Sequence, residues 1–98
     1  MVIPGHYSLD DGTMVWLNDR GQLHNTEGPA IIFTDGGQEW YKNGKRHRVD
    51  GPAVIYPSGL AKWYLNDRRI RDWAAFRRYS GVSNEAITLV MLRYTEIL

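Results

Sequence analysis

Shifted against itself by 23 residues, the chain matches its own pattern. "DGTMVWLNDRGQLHNTEGPAIIF" lies over "DGGQEWYKNGKRHRVDGPAVIY", and a partial third copy reads "SGLAKWYLNDRRI". Trp16, Trp40 and Trp63 coincide, as do Gly12, Gly36 and Gly59. His24 meets His47, and Gly28-Pro29-Ala30 meets Gly51-Pro52-Ala53, with one extra residue between Trp16 and His24 in the first copy. A repeat this short is one supersecondary unit that must stack on its neighbours to bury its apolar face. That requirement limits the possible folds more than any other feature of the sequence.

Each unit reads as antiparallel β-structure. Asn43-Gly44, flanked by "WYK" and "KRH", is the strongest short hairpin signal, because both central positions of a type I′ turn need positive φ. "TDGG" at 34–37 and "PSG" at 57–59 mark the opposite ends. Pro29 and Pro52 cannot donate to a ladder, so "GPA" belongs at a strand start or sheet edge. "AIIF", "AVIY" and "KWYL" have the length and the branched or aromatic content of strands. The expected fold is a meander of roughly nine short strands over residues 6–70.

The units resemble MORN-type repeats, and more closely the variant of bacterial and bacteriophage proteins that reads roughly "W-Y-x-N-G-x-x-H-R-x-D-G-P-A" before a strand and a glycine turn. Residues 40–59 match that pattern nearly throughout. The first copy departs from it at Leu17, at "NDRG", and at Asn25 and Glu27; the third ends at Ile70, where the pattern has a histidine. The resemblance covers about residues 10–70 and implies an elongated, single-layer twisted sheet acting as a scaffold or interaction surface. Some relatives of this kind are antitoxin-like, and others are proposed to touch membranes.

After Ile70 the period changes to that of a helix. Asp72 can cap "WAAFRRY", in which Trp73, Phe76 and Tyr79 recur at helical spacing. Ser83 can cap "NEAITLVMLRYTEIL", where Glu85 suits the positive helix end. Ile87, Val90, Met91, Tyr94 and Leu98 form an apolar stripe, widened by Ala86, Leu89, Leu92 and Ile97. Such a wide stripe calls for packing against both the first helix and the sheet, closing the array, with a dimer interface as the alternative. The expected fold class is therefore α+β: one domain, with hairpin repeats over about 6–70 and a helical cap over about 72–98.

Composition narrows the chemistry. With no cysteine among the 98 residues, disulfides, thiolate metal sites and a cysteine nucleophile are excluded. No apolar run reaches the ~20 residues of a membrane span, and "MVIPGHYSLDDG" lacks the features of a signal peptide; a cytoplasmic protein is expected. His24 and His47 each precede an acid by three residues, as a metal or acid–base pair would. Zinc needs three or four convergent ligands, and these histidines occupy equivalent repeat positions, so a structural role is expected: stacking, or a bond to a turn carbonyl. Ser8, Ser58, Ser80 and Ser83 fall in strand ends, turns or caps, and no nucleophile elbow or phosphate loop appears. We expect no enzyme, no cofactor and no metal.

Charge is uneven although the net value is only +1. Residues 1–41 carry six carboxylates against Arg20, and residues 42–78 carry ten Lys or Arg against Asp50, Asp67 and Asp72. Arg68, Arg69, Arg71, Arg77 and Arg78 are interleaved with Trp63, Tyr64 and Trp73. This mixture suits a protein hot spot, and equally phosphate and base contacts, though the sequence pI of about 8.1 lies below that of a dedicated nucleic-acid domain, above ~9. The plainest alternative is a solvated face with some arginines paired to Asp67 and Asp72. Within the repeats, neighbours on a strand face opposite sides, so one of Trp40-Tyr41 and of Trp63-Tyr64 enters the core. Tyr41 and Tyr64 on the outer face would form a ladder available for binding, or simply stabilise the sheet through cross-strand pairs. Lys45, Arg46 and Arg48 distinguish the second copy, since the first has Gln22, Leu23 and Asn25 there. The expected partner-binding residues are thus Tyr41, Lys45, Arg46, Arg48, Tyr64, Arg68, Arg69, Arg71, Arg77 and Arg78. A protein partner is expected first, in an inhibitor, anti-defence or antitoxin-like role of phage or bacterial origin. Nucleic acid or an anionic membrane is the alternative, and a homo-oligomeric scaffold built through the C-terminal helix is another.

Overall fold

A computed structural model describes residues 2–97 and shows a small α+β domain: antiparallel hairpins followed by two helices. The strands are β1 (Gly5–Ser8), β2 (Met14–Leu17), β3 (Ile31–Ile32), β4 (Gln38–Glu39), β5 (Tyr41–Lys42), β6 (Lys45–Arg46), β7 (Val54–Ile55), β8 (Ala61–Leu65) and β9 (Arg68–Ile70). They are followed by α1 (Trp73–Tyr79) and α2 (Asn84–Arg93). The main sheet has the order β1-β2-β3-β4-β7-β8-β9, and β5-β6 is a separate two-stranded piece.

Backbone bonds join these pieces into one pattern that repeats with the sequence period. Trp40 N–H donates to the Ala53 carbonyl and its own carbonyl accepts from His47 N–H, at 2.7 and 3.1 Å. So β6 and β7 lie in line along one side of the continuous stretch 38–42, separated by an arch over 48–52. In the preceding unit Trp16 bonds Ala30 and His24 in the same way, at 2.8 and 2.9 Å. Between units, Ala30 N–H donates to Glu39 and Ala53 N–H to Lys62, at 2.8 and 3.0 Å. Each unit is thus a straight strand flanked by strands that are interrupted at the G-P-A arch. The proline sits where no ladder donor is required, as its missing N–H demands.

Three turns of one kind close the other ends. Leu9, Phe33 and Tyr56 donate their N–H groups to the carbonyls of Thr13, Gly37 and Leu60, at 2.8, 2.9 and 2.8 Å. Gly12, Gly36 and Gly59 hold φ of 92°, 94° and 91° at the third loop position, where a side chain would be strained. The Asn43-Gly44 turn has φ of 49° and 83°, the type I′ geometry expected from sequence. Its counterpart in the third unit reaches the same geometry without glycine, at Asn66 and Asp67 (φ 49° and 66°). In the first unit Gly21 (φ 74°) absorbs the extra residue, and Asn18 Oδ1 accepts the N–H groups of Arg20 and Gln22.

Burial concentrates at the C-terminal end. Trp63, Leu65, Ile70, Phe76, Ile87, Val90 and Ile97 form the core cluster, with Trp73 and Tyr94 packed against it. The rings of Trp73, Phe76 and Tyr94 meet Trp63 edge-on at 5.2–5.5 Å, the geometry the ring quadrupoles favour. Both helices start at the caps read from sequence: Asp72 Oδ1 accepts Ala75 N–H at 2.8 Å, and Ser83 Oγ accepts Ala86 N–H at 3.2 Å. The helices therefore cover the last unit, as expected of a closing element.

The structure corrects two details of that expectation. The apolar stripe of α2 is narrower than its sequence suggests: Ile87 and Val90 are buried, while Leu89 and Leu92 are 67% and 77% exposed and Met91 also faces out. Only one helix face meets the small core, so Leu89 and Leu92 have nothing to cover them, while Ile97, beyond the helix, joins the core. Leu98, placed on the same stripe, lies outside the described residues. Tyr79, at helical spacing from Trp73 and Phe76, does not share their packing: it is the last residue of α1 and is 40% exposed.

Candidate interaction site

The three repeat tryptophans face one side of the sheet and meet three different covers. Trp63 is closed over by the helices and is 3% exposed. Trp40 lies under the Arg48 guanidinium, whose Cζ is 3.9 Å from the ring centroid. Trp16 is stacked against His6 of β1, with centroids 5.6 Å apart. Cover over the repeat tryptophan is thus supplied by whatever element is nearest, and only the last unit recruits an apolar core.

This makes Arg48 an internal residue. Its Nε donates to Asp50 Oδ1 at 2.8 Å and its Nη1 to the Pro52 carbonyl at 3.0 Å, and its side chain is only 14% exposed. Asn25, its equivalent, ties the first arch the same way, through Nδ2 to the Pro29 carbonyl at 2.9 Å. Between the arches lies an open groove of about 590 Å³, bordered by Glu27, Trp40, Lys42, His47, Arg48 and Asp50. Among the described residues no three His, Asp or Glu side chains gather as a metal site would require.

On the opposite face runs a row of alternating rings and guanidinium groups. Arg46 is paired with Tyr41 across the hairpin, and Arg69 with Tyr64, so all four point the same way. The Arg46 guanidinium sits 4.2 Å above the Tyr64 ring, and its Nε lies 3.5 Å from Asp67 Oδ1. Tyr41 is half-buried and donates to Glu39 Oε1 at 2.8 Å; burial, then this carboxylate, pushes its hydroxyl up to about 12. The tyrosine ladder expected from sequence therefore exists on the outer face, interleaved with arginine. Lys45, in the same hairpin, is exposed.

The arginines of β9 and α1 divide by face. Arg68 is paired with Leu65 and lies on the helix side, with Cζ 4.3 Å from the Tyr79 ring; Arg78 approaches the same ring at 5.5 Å. Arg77 donates to Asn84 Oδ1 at 3.2 Å, and Arg71 is exposed. Arg69 points to the outer face, where its Nε is buried without a hydrogen-bond partner among the described residues. The sequence left open a pairing of these arginines with Asp67 and Asp72. Instead Asp67 pairs with Arg46 and Asp72 caps α1. Among the described residues the ion pairs are Arg46–Asp67 and Arg48–Asp50, and none involves the five arginines of 68–78. Tyr79 is the site residue that sequence reasoning missed: its helical spacing gave it no site role, and only its place beside β9 shows that it gathers Arg68 and Arg78.

The chain matches no family model, no curated protein and no solved structure.

Proposed function

We propose that this protein is a small non-enzymatic interaction module that binds an acidic surface of a protein partner through the basic end of its sheet. The observation that supports this most is the set of exposed arginines 68, 71, 77 and 78, unpaired with carboxylates, two of them held on the exposed Tyr79 ring. Arginine held on an aromatic ring loses less side-chain freedom on binding, and Arg with Tyr is the mixture enriched at interface hot spots. The row Tyr41–Arg46–Tyr64–Arg69 extends the same chemistry onto the outer face. An inhibitor, anti-defence or antitoxin-like role is what the resemblance to bacterial and phage repeat units suggests. No helix among the described residues is long and apolar enough to cross a membrane.

The test compares the wild type with a variant carrying Arg68→Ser, Arg71→Ser, Arg77→Ser and Arg78→Ser, leaving Arg46 and Arg48 intact. A protein recovered from bacterial lysate by the wild type should bind the purified variant at least tenfold more weakly. Equal binding, or no partner recovered even at low salt, would sink the proposal. A second reading rests on the same unpaired arginines beside an aromatic ring: nucleic-acid binding. It predicts capture of a labelled single-stranded oligonucleotide at ~50 mM salt, weakening steeply as salt rises.

A further inference from the structure

We propose that the open edge of β1 takes up an extended, cationic segment of a partner protein as an additional antiparallel strand. This goes beyond the proposed role of the arginines, which lie at the other end of the sheet.

The sheet has two ends, β1 and β9, and they are built differently. β9 carries Arg68 and Arg69, is followed by Arg71 and abuts α1, which are the devices that discourage strand addition. β1 has fewer of them: its sequence is Gly-His-Tyr-Ser, every residue is exposed, none is Lys, Arg, Asp or Glu, and the nearest guarding residue is Pro4, just before the strand. The register fixes which backbone groups are free. Trp16 directs its N–H and carbonyl away from β1, toward Ala30 and His24. Val15 and Leu17 therefore face β1, and their partners Tyr7 and Gly5 are bonded inward. His6 and Ser8 turn their N–H and carbonyl groups outward, four sites in strand geometry with no backbone partner among the described residues. Val2 packs near Gly21, alongside the turn after β2.

The surroundings select the occupant. Every neighbouring pair in the sheet is antiparallel, so the next place in the alternation belongs to a strand running against β1. Exposed Tyr7 and Leu9 offer apolar contact along it. The turn after β1 carries Asp10 and Asp11, while Asp19 at the other end is offset by Arg20 in the same turn, so a strand with a positive flank toward Asp10 and Asp11 is favoured. A second copy fits less well. Seven alternating strands make β1 and β9 parallel to each other, so head-to-tail continuation would break the antiparallel pattern. Antiparallel pairing of β1 with β1 would set Asp10 and Asp11 of each copy beside the other's Asp19 and Arg20, which offer no net positive flank.

The experiment uses the ¹⁵N-labelled full chain and a synthetic peptide, the sequence of residues 60–66 (LAKWYLN) with a lysine at each end. At ten times its Kd, the peptide should slow amide exchange of His6 and Ser8 about tenfold, while inward-bonded Tyr7 changes little. Ser8→Pro removes an outward donor and should weaken binding by tenfold or more, with the native spectrum of the other strands as its folding control. The same peptide flanked by glutamate should bind more weakly. The proposal fails if the peptide does not bind by about 1 mM, or if it binds without protecting His6 and Ser8. It fails equally if the glutamate peptide binds as well, or if those amides are already protected in a concentration-dependent way, which would give the edge to a second copy.

Discussion

His47 Nδ1 accepts the backbone N–H of Asn66 at 3.1 Å, and 23 residues earlier His24 Nδ1 accepts the N–H of Asn43 at 3.0 Å. In both cases the donor is the first positive-φ residue of the next unit's hairpin turn, at φ 49°. The histidine is therefore the residue by which one unit holds the turn of the following one. This corrects the expectation of a bond to a turn carbonyl: the imidazole is the acceptor, and its accepting nitrogen carries no proton. It also explains Ile70. The third unit has no hairpin after it to hold, so its equivalent position is apolar and is fully buried beneath the helices.

Replacing His47 by phenylalanine should cost about 1 kcal/mol in urea unfolding, the usual net worth of a hydrogen bond. Asn66 is exposed, so water can satisfy the released amide and the penalty stays at that level. His47→Gln, which keeps an acceptor, should recover part of the loss.

The same bond predicts a pH dependence. Burial, and then the charge of Lys42, hold the His47 imidazole below its ordinary value of 6.5. The unfolded chain then takes up the proton first as pH falls, so stability is full above about 6.5 and declines as pH drops below it. Urea midpoints at pH 7.5 and 5.5 should differ in the wild type, and His47→Gln should shrink the difference. A wild-type midpoint that rises on acidification would contradict the assignment.

Gly51 and Gly28 are equivalent in sequence and unequal in space. A Cβ on Gly51 would lie 2.7 Å from Arg48 Cζ and 2.8 Å from the Tyr94 hydroxyl, whereas one on Gly28 would meet only Asn25 Nδ2, at 3.8 Å. The atoms a Gly51 Cβ meets are side-chain ends that can move, but moving Arg48 gives up its bonds to Asp50 and Pro52, so Gly51→Ala should destabilise by about 1 kcal/mol. Gly28→Ala should be close to neutral in thermal unfolding.

Arg48→Lys should separate structural from partner-facing arginines. Lysine keeps the charge but cannot make the two directed bonds to Asp50 and Pro52 while lying flat over Trp40. We expect a loss of about 1–2 kcal/mol from the two bonds, against no measurable change for Arg71→Lys, which makes no such contacts.

Tyr41 should ionise near pH 12 in an ultraviolet titration, well above the ordinary tyrosine value of 10.0. Replacing Glu39 with glutamine keeps an acceptor for the Tyr41 hydroxyl but removes the carboxylate charge, and should bring that transition down while burial keeps it above the ordinary value of 10.0.

Much of the architecture was legible because its signals are local. Glycine at a positive-φ position, Asn-Gly between strand residues, proline where no donor is needed and Ser or Asp before a helix each constrain the backbone within a few residues. Self-alignment then placed equivalent positions in register without knowledge of contacts. The site was less legible, because cationic residues of one type carry different duties. Arg48 and Arg68 look alike in sequence, yet one is folded over Trp40 and fixed to its own arch, while the other is held on a ring from α1.

The sequence by itself determined the repeating unit, its turns, the two helix caps and the change from sheet to helix after Ile70, all through interactions spanning one unit or less. Tertiary structure decided which tryptophan becomes core, that Leu89 and Leu92 remain exposed, which arginines stay unpaired, and that β1 is left open while β9 is guarded. Those outcomes depend on which surfaces meet. A repeat makes its surfaces alike, so neighbours at the two ends of the array, rather than the residues themselves, set each surface's fate.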